Sequence, residues 1–147
     1  MANVFNVARY ILRKTGRVSS WKLQKLCYYS QAWAVTWTER PLFKNKIEAW
    51  RNGPVCPDLF NIHQEKFYVD LNDVPDYLED KQKPLTDDEE DTISQVLNHY
   101  QHMEPYELRE LTHSEAPWQN ARKGVPEGSP SHNEITVESM GDYYSGL

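Results

Sequence analysis

WKLQKLCYYSQAWAVTW, residues 21–37, decides the fold. Wound at 3.6 residues per turn, it sets Leu23, Leu26, Cys27, Ser30, Trp33, Ala34 and Trp37 in one row and Trp21, Tyr28, Ala32 and Val35 in a second. Two rows require two sets of packing partners. Lys22 and Lys25 are the only charges in the stretch, so beyond Leu26 little in it suits water. It is expected to be a central helix, capped by Ser19 or Ser20 and running from about 20 to 38 before Pro41. Gln24, Lys25 and Gln31 mark the borders between the rows, and the Trp21 row is expected to be either core or a docking surface.

Outward from this helix the chain reads as short elements. Val4, Val7, Ala8, Ile11 and Leu12 recur at helical spacing, with Arg13, Lys14 and then Gly16 as a C-terminal stop, so a first helix packs on the central one as a hairpin. Ile47, Ala49 and Arg51 alternate with Glu48 and Trp50 as a strand would, its partner sought at Tyr68 to Leu71. Asn52-Gly53-Pro54 breaks that element, placing Trp50 and the helix that Pro57-Asp58 opens, expected to run to about Phe67. Residues 68–85 read as an acidic connection. Thr86 with Glu89 forms a capping box for a helix buried through Ile93, Val96, Leu97 and Tyr100. Short helices follow from Pro105 and around Trp118, then a Gly-, Pro- and Ser-rich loop over 124–133, then a last helix capped by Thr136 with Val137, Met140 and Tyr144 facing inward. The expected fold is mainly α: a single compact multi-helix domain over 1–147 with a small β element near 46–51.

Composition narrows the function. A chain of 147 residues can bury a core without staples. A mean hydropathy of −0.79 and the lack of any long apolar run exclude a membrane protein, and the N-terminus lacks the features of a secretory signal, so a cytoplasmic location is expected. Cys27 and Cys56 form no CxxC pair and are expected as buried free thiols. Residues 1–38 carry +6 and the remainder −12, within a total of −6. Docking of the basic part on the acidic middle explains that polarity more simply than an anionic partner, and the net charge argues against nucleic acid.

Reactive groups are sparse. His99 and His102 could share a helix face but lack a third ligand at fixed spacing, and the acids from Asp87 to Asp91 suit a helix start better than a metal. No cofactor is expected. His113 and Glu115 stand two apart at a helix end, where capping beneath Trp118 is the plainer role; a metal-assisted hydrolase using the two with a remote ligand is the enzymatic alternative. Exposed aromatics and Arg anchor protein interfaces, which makes Trp21, Lys25, Tyr28, Trp50, Arg51 and Trp118 the candidate partner-binding residues.

KLQKLCYYSQAW, PLFKNKIEAWRNGPVCPDLF, LTDDEEDTISQVL and ELTHSEAPWQNAR, in that order, resemble the Panacea domain, also described as SocA-like or as the phage-associated GepA type. The resemblance extends over about Ala2 to Tyr144, with Cys27 and Cys56 standing where aliphatic residues are more usual. Gln24, Gly53, Pro54, His113, Glu115 and Pro117 are its motif residues with structural duties. It implies a non-enzymatic antitoxin of a bacterial or phage toxin–antitoxin system that neutralises a cognate toxin, encoded by an adjacent gene, through direct binding. Some relatives carry an added DNA-binding segment, for which this chain has no residues to spare. An adaptor that delivers a protein partner to another machine is the alternative within binding modules, and self-association into a homo-oligomer is left open.

Overall fold

The computed structural model describes residues 1–76 and 84–147. The part of the acidic connection from 77 to 83 lies outside the described residues.

The first helix, α1 (Val4–Thr15), starts where Asn3 and Asn6 cap each other and stops at Gly16, whose φ of 74° brings its N–H to the Leu12 carbonyl. A two-residue strand, β1 (Val18–Ser19), leads into α2 (Ser20–Thr38), with the Ser19 hydroxyl accepting from the Lys22 N–H. Both apolar rows hold: Leu23, Leu26, Cys27, Ser30 and Ala34 are buried, and so are Tyr28, Ala32 and Val35. Trp21 is half-buried, and Trp37 at the far end is 49% exposed. The helix is therefore enclosed on nearly every side, by α1, by the later helices and by the hairpin described next. Cys27 and Cys56 are buried free thiols.

The strand near 46–51 is β2 (Glu48–Trp50), and its partner is β3 (Gly53–Val55) in an antiparallel hairpin that places Ala49 opposite Pro54. This corrects the expected pairing with residues 68–71. Gly53 adopts φ 122°, so the chain reverses within the Arg51-Asn52 turn, and a neighbouring segment closes the pair with less chain entropy than a distant one. Tyr68–Val69 forms β4 and pairs with β1 instead. The other edge of β2 is covered: Ala49 donates to the Asn133 carbonyl and Ile135 donates to the Ile47 carbonyl. Pro54 has no N–H to give, and the residue opposite it, Ala49, sends its own N–H outward to Asn133.

The next helix, α3 (Pro57–His63), ends four residues before the expected Phe67. Three bonds stop it. His63 Nε2 is held by Gln24 at 2.9 Å, Lys66 N–H turns back to the His63 carbonyl, and Ser20 N–H takes the Phe67 carbonyl, which aligns the chain with β1. A 3₁₀ turn at Leu71–Asp73 follows, and the Arg9 guanidinium donates to the Leu71 and Val74 carbonyls at its ends. The basic N-terminal segment thus docks on the acidic connection through its backbone.

Four helices complete the chain: α4 (Asp87–Tyr100), with the Thr86–Glu89 capping box in place; α5 (Pro105–His113); α6 (Ala116–Ala121); and α7 (Val137–Tyr144), capped by Thr136. Among the described residues the architecture is mainly helical, with only two small antiparallel strand pairs. α4 and α7 pack on α2, where Tyr29 stacks on Tyr100 at 4.0 Å and Tyr28 meets the Tyr144 hydroxyl at 3.0 Å.

Two glutamines fasten the loops to α2. Gln24 Oε1 accepts from Cys56 N–H at 2.8 Å while its Nε2 donates to the Cys56 carbonyl, and Gln31 does the same for Leu42 N–H and the Phe43 carbonyl. Replacing Gln24 by Leu would strand the Cys56 N–H and the His63 nitrogen in a buried site and leave the Cys56 carbonyl only the Phe60 N–H. Gln24→Leu is expected to cost about 2–4 kcal/mol in urea unfolding; a loss below about 1 kcal/mol would show that this clamp does not hold α3.

Candidate functional site

Three of the motif segments meet under the β2–β3 hairpin. From α2, the Lys25 side chain runs inward and ends against the turn: a Cβ on Gly53 would stand 2.5 Å from Lys25 Cε, 3.1 Å from Nζ and 3.2 Å from the Thr112 hydroxyl. Glycine is thus required twice at this position, for its φ of 122° and for the space the lysine fills. The buried Nζ has no hydrogen-bond partner and lies 5.2 Å from the Trp21 ring centroid. Burial, reinforced by the positive charge of Arg109, lowers the Lys25 pKa from its ordinary 10.5 to about 7.

His113 comes from the end of α5 and stacks on Trp118 of α6 with 3.8 Å between ring centroids. Its Nε2 is also buried without a partner. Desolvation, then Arg109, brings its pKa down to about 4, so the ring is neutral at physiological pH. Trp118 Nε1 donates to the Trp50 carbonyl at 2.8 Å, tying α6 to β2. Arg122 packs over the same indole and donates to the Ala49 and Ser129 carbonyls. Pro117, in the first turn of α6, is buried beside them.

These groups border a cleft of about 780 Å³ between the hairpin turn, α5, α6 and the loop at 125–128, with Arg51, Asn52, Arg109, His113, Trp118 and Arg122 on its walls. Next to it runs an aromatic strip. Phe60 of α3 lies 6.3 Å from Trp21 and 4.9 Å from Trp50, and Trp50 lies 5.7 Å from His132. Trp21, Phe60, Trp50 and Trp118 are each half-buried.

The structure therefore brings Trp21, Lys25, Trp50, Arg51 and Trp118 to one region, with Gly53, Pro54 and Gln24 beneath it. Tyr28 is not among them: α7 covers it, and it is a core residue rather than a surface one. Lys25 belongs to the region as a buried group and not as an exposed one. His113 and Glu115 part company. Glu115 turns inward, accepting from Tyr29 at 2.7 Å and Tyr144 at 2.8 Å, and burial pushes its pKa up despite those two donors. His99 and His102 are exposed, and among the described residues no three His, Cys, Asp or Glu side chains could hold a metal. Phe60, Arg109 and Arg122 join the site without having been anticipated. Arg122 closes the last motif and Phe60 closes the second, whereas Arg109 carried no local signal at all.

Fold and motif placement define a mainly helical domain whose motifs are gathered under one hairpin. The chain belongs to the antitoxin SocA-like, Panacea domain family, whose model matches residues 23–119, about two-thirds of its length. The match runs from α2 to α6 and so contains Lys25, the hairpin, His113 and Trp118. No curated protein and no solved structure matches the chain.

Since folding lowers the Lys25 pKa, the unfolded chain binds more protons between pH 7 and 10.5, and stability rises with pH across that window. The contribution is complete above 10.5 and is lost as pH falls toward 7. Lys25→Met keeps the stem and removes the titrating group. Its advantage over wild type in denaturant unfolding is expected to be largest at pH 7 and to shrink by roughly 3–5 kcal/mol toward pH 10.5. A difference independent of pH would contradict the buried, unpaired ammonium.

Proposed function

We propose that this protein is an antitoxin that neutralises a protein toxin by binding it directly, through the face on which the motif segments converge. The observation that carries this reading is that convergence within a chain of an antitoxin family: Trp21, Phe60, Trp50 and Trp118, half-buried and contiguous, lie beside Arg51 and the cationic cleft. Rigid aromatic anchors that keep part of their surface in water, next to arginine, are the residue types on which protein interfaces concentrate their binding energy. A neutraliser needs no reactive centre, only a surface that covers the toxin's working face. The acidic remainder of the chain steers association toward a basic toxin. No described helix is long and apolar enough to cross a membrane, and we place the encounter in the cytoplasm.

Expression of the neighbouring gene alone is expected to arrest growth, and co-expression with this chain to restore it through a stoichiometric complex. Trp21→Ala combined with Arg51→Glu, checked for an intact fold by circular dichroism, is expected to weaken that complex by about 30-fold or more. A neighbour that is harmless alone, or that stays toxic beside abundant folded protein, sinks the reading. Turnover of the partner by a protease in the presence of this chain would instead point to an adaptor.

A further inference from the structure

We infer that the cleft between the β2–β3 turn and α5–α6 is a carboxylate pocket, which takes an acidic side chain of the protein partner between Arg51, Arg109 and His113. The choice of a protein as the source rests on the antitoxin reading; the carboxylate chemistry rests on the cleft itself.

Arginine outnumbers carboxylate on its walls. Arg51, Arg109 and Arg122 stand on its walls against Glu110 and Glu127, in a protein whose net charge is −6. Lys25 Nζ adds to the positive side from behind Gly53 and Thr112, the chain neighbours of the wall residues Asn52 and His113. Buried polar atoms nearly always have partners in folded proteins, yet two nitrogens at this one place, Lys25 Nζ and His113 Nε2, have none. An anion in the cleft supplies a counter-charge for the guanidinium groups on its walls, behind which the two buried nitrogens lie.

The arginines divide the work. Arg122 is committed to the Ala49 and Ser129 carbonyls and serves as a fixed wall. Arg109 reaches Asn52 at 3.4 Å and pairs with its chain neighbour Glu110 at 2.8 Å, in an ion pair whose side chains are 41% and 64% exposed. Such a pair is weak in water, so an incoming carboxylate can replace Glu110 on the guanidinium fork. At about 780 Å³ the cleft exceeds what a lone ion fills and suits a side chain with its flanking backbone. Trp118 stacks on His113 and packs against Arg122, which leaves no open ring for a nucleobase. The Trp118 to Trp50 bond makes the cleft continuous with the aromatic strip, over which a bound chain would continue.

The test titrates the full-length protein with tetraglutamate, tetraglutamine and inorganic phosphate, following the Trp118 indole N–H by NMR. Tetraglutamate is expected to shift that signal saturably and tetraglutamine to leave it unmoved. Arg109→Gln and Arg51→Gln, neither of them a buried change, should each weaken the tetraglutamate response by about tenfold, while Arg17→Gln, off the cleft wall, should not. No response to tetraglutamate, or a response in both cleft variants as strong as in wild type, overturns the pocket. Binding of phosphate without tetraglutamate makes it a small-anion site and overturns the partner assignment. Against the toxin, Arg109→Glu should abolish the complex; a complex that tolerates it defeats this inference and leaves the antitoxin reading standing. Failure of wild type to form any complex defeats the antitoxin reading, while the peptide titration still decides the pocket.

Discussion

Polar side chains inside a helix surrounded by protein are costly unless the surroundings answer them; of the four inside α2, Lys25 Nζ and Ser30 Oγ go without, and Gln24 and Gln31 are answered. The answer comes from backbone. A glutamine amide has one donor side and one acceptor side, as a peptide group does, so each of the two buried glutamines holds a passing chain in the way a neighbouring strand would. Gln31 fixes the exit from α2 at Leu42 and Phe43, and Gln24 fixes the entry to α3 at Cys56. Between those two anchored points the chain has only enough length for one tight hairpin. That hairpin is what carries Trp50, Asn52 and Gly53 to the mouth of the cleft.

Local physics made α1, α2, α4 and α7 legible, because their apolar spacing and the stop or cap of each are written in adjacent residues: Gly16, Ser19, Thr86 with Glu89, and Thr136. What a cap cannot report is which distant segment competes for a backbone group. The end of α3 is set by Gln24 holding His63 and by Ser20 taking the Phe67 carbonyl, partners 39 and 47 positions away in sequence. Strand pairing failed for the related reason that Gly53 could be seen to break the chain but not to turn it straight back. The motif residues of the site were visible one by one. Their meeting was not, since Lys25, Gly53 and Thr112 come from three elements that share a space only after folding.

Tyr28 shows the same limit from the other side. A tyrosine on a helix face reads as a ready interface residue, yet α7 brings Tyr144 over it, and the two hydroxyls join Tyr29 and the Glu115 carboxylate in one buried cluster. Burying a carboxylate among phenols is costly unless every donor is aimed at it, and two are. The cluster therefore specifies how α2, α6 and α7 come together rather than adding much net stability.

LTHSEAPW spans both worlds within eight residues. Glu115 faces into the tyrosine cluster, while His113 and Trp118 face the cleft, and α6 between them is only six residues long. So short a helix has little freedom to tilt when Glu115 before it accepts two phenolic hydrogen bonds, Trp118 in its first turn bonds β2 and Arg122 just past its end bonds the Ala49 carbonyl. The cleft is thereby preorganised by the core: its aromatic wall is set before any ligand arrives, and a partner need not spend binding energy on ordering it. Leaving Lys25 Nζ and His113 Nε2 unsatisfied in such a rigid frame costs stability in the free protein. That cost falls directly behind the cleft wall, at the place where α2, the hairpin turn and the end of α5 are pressed together.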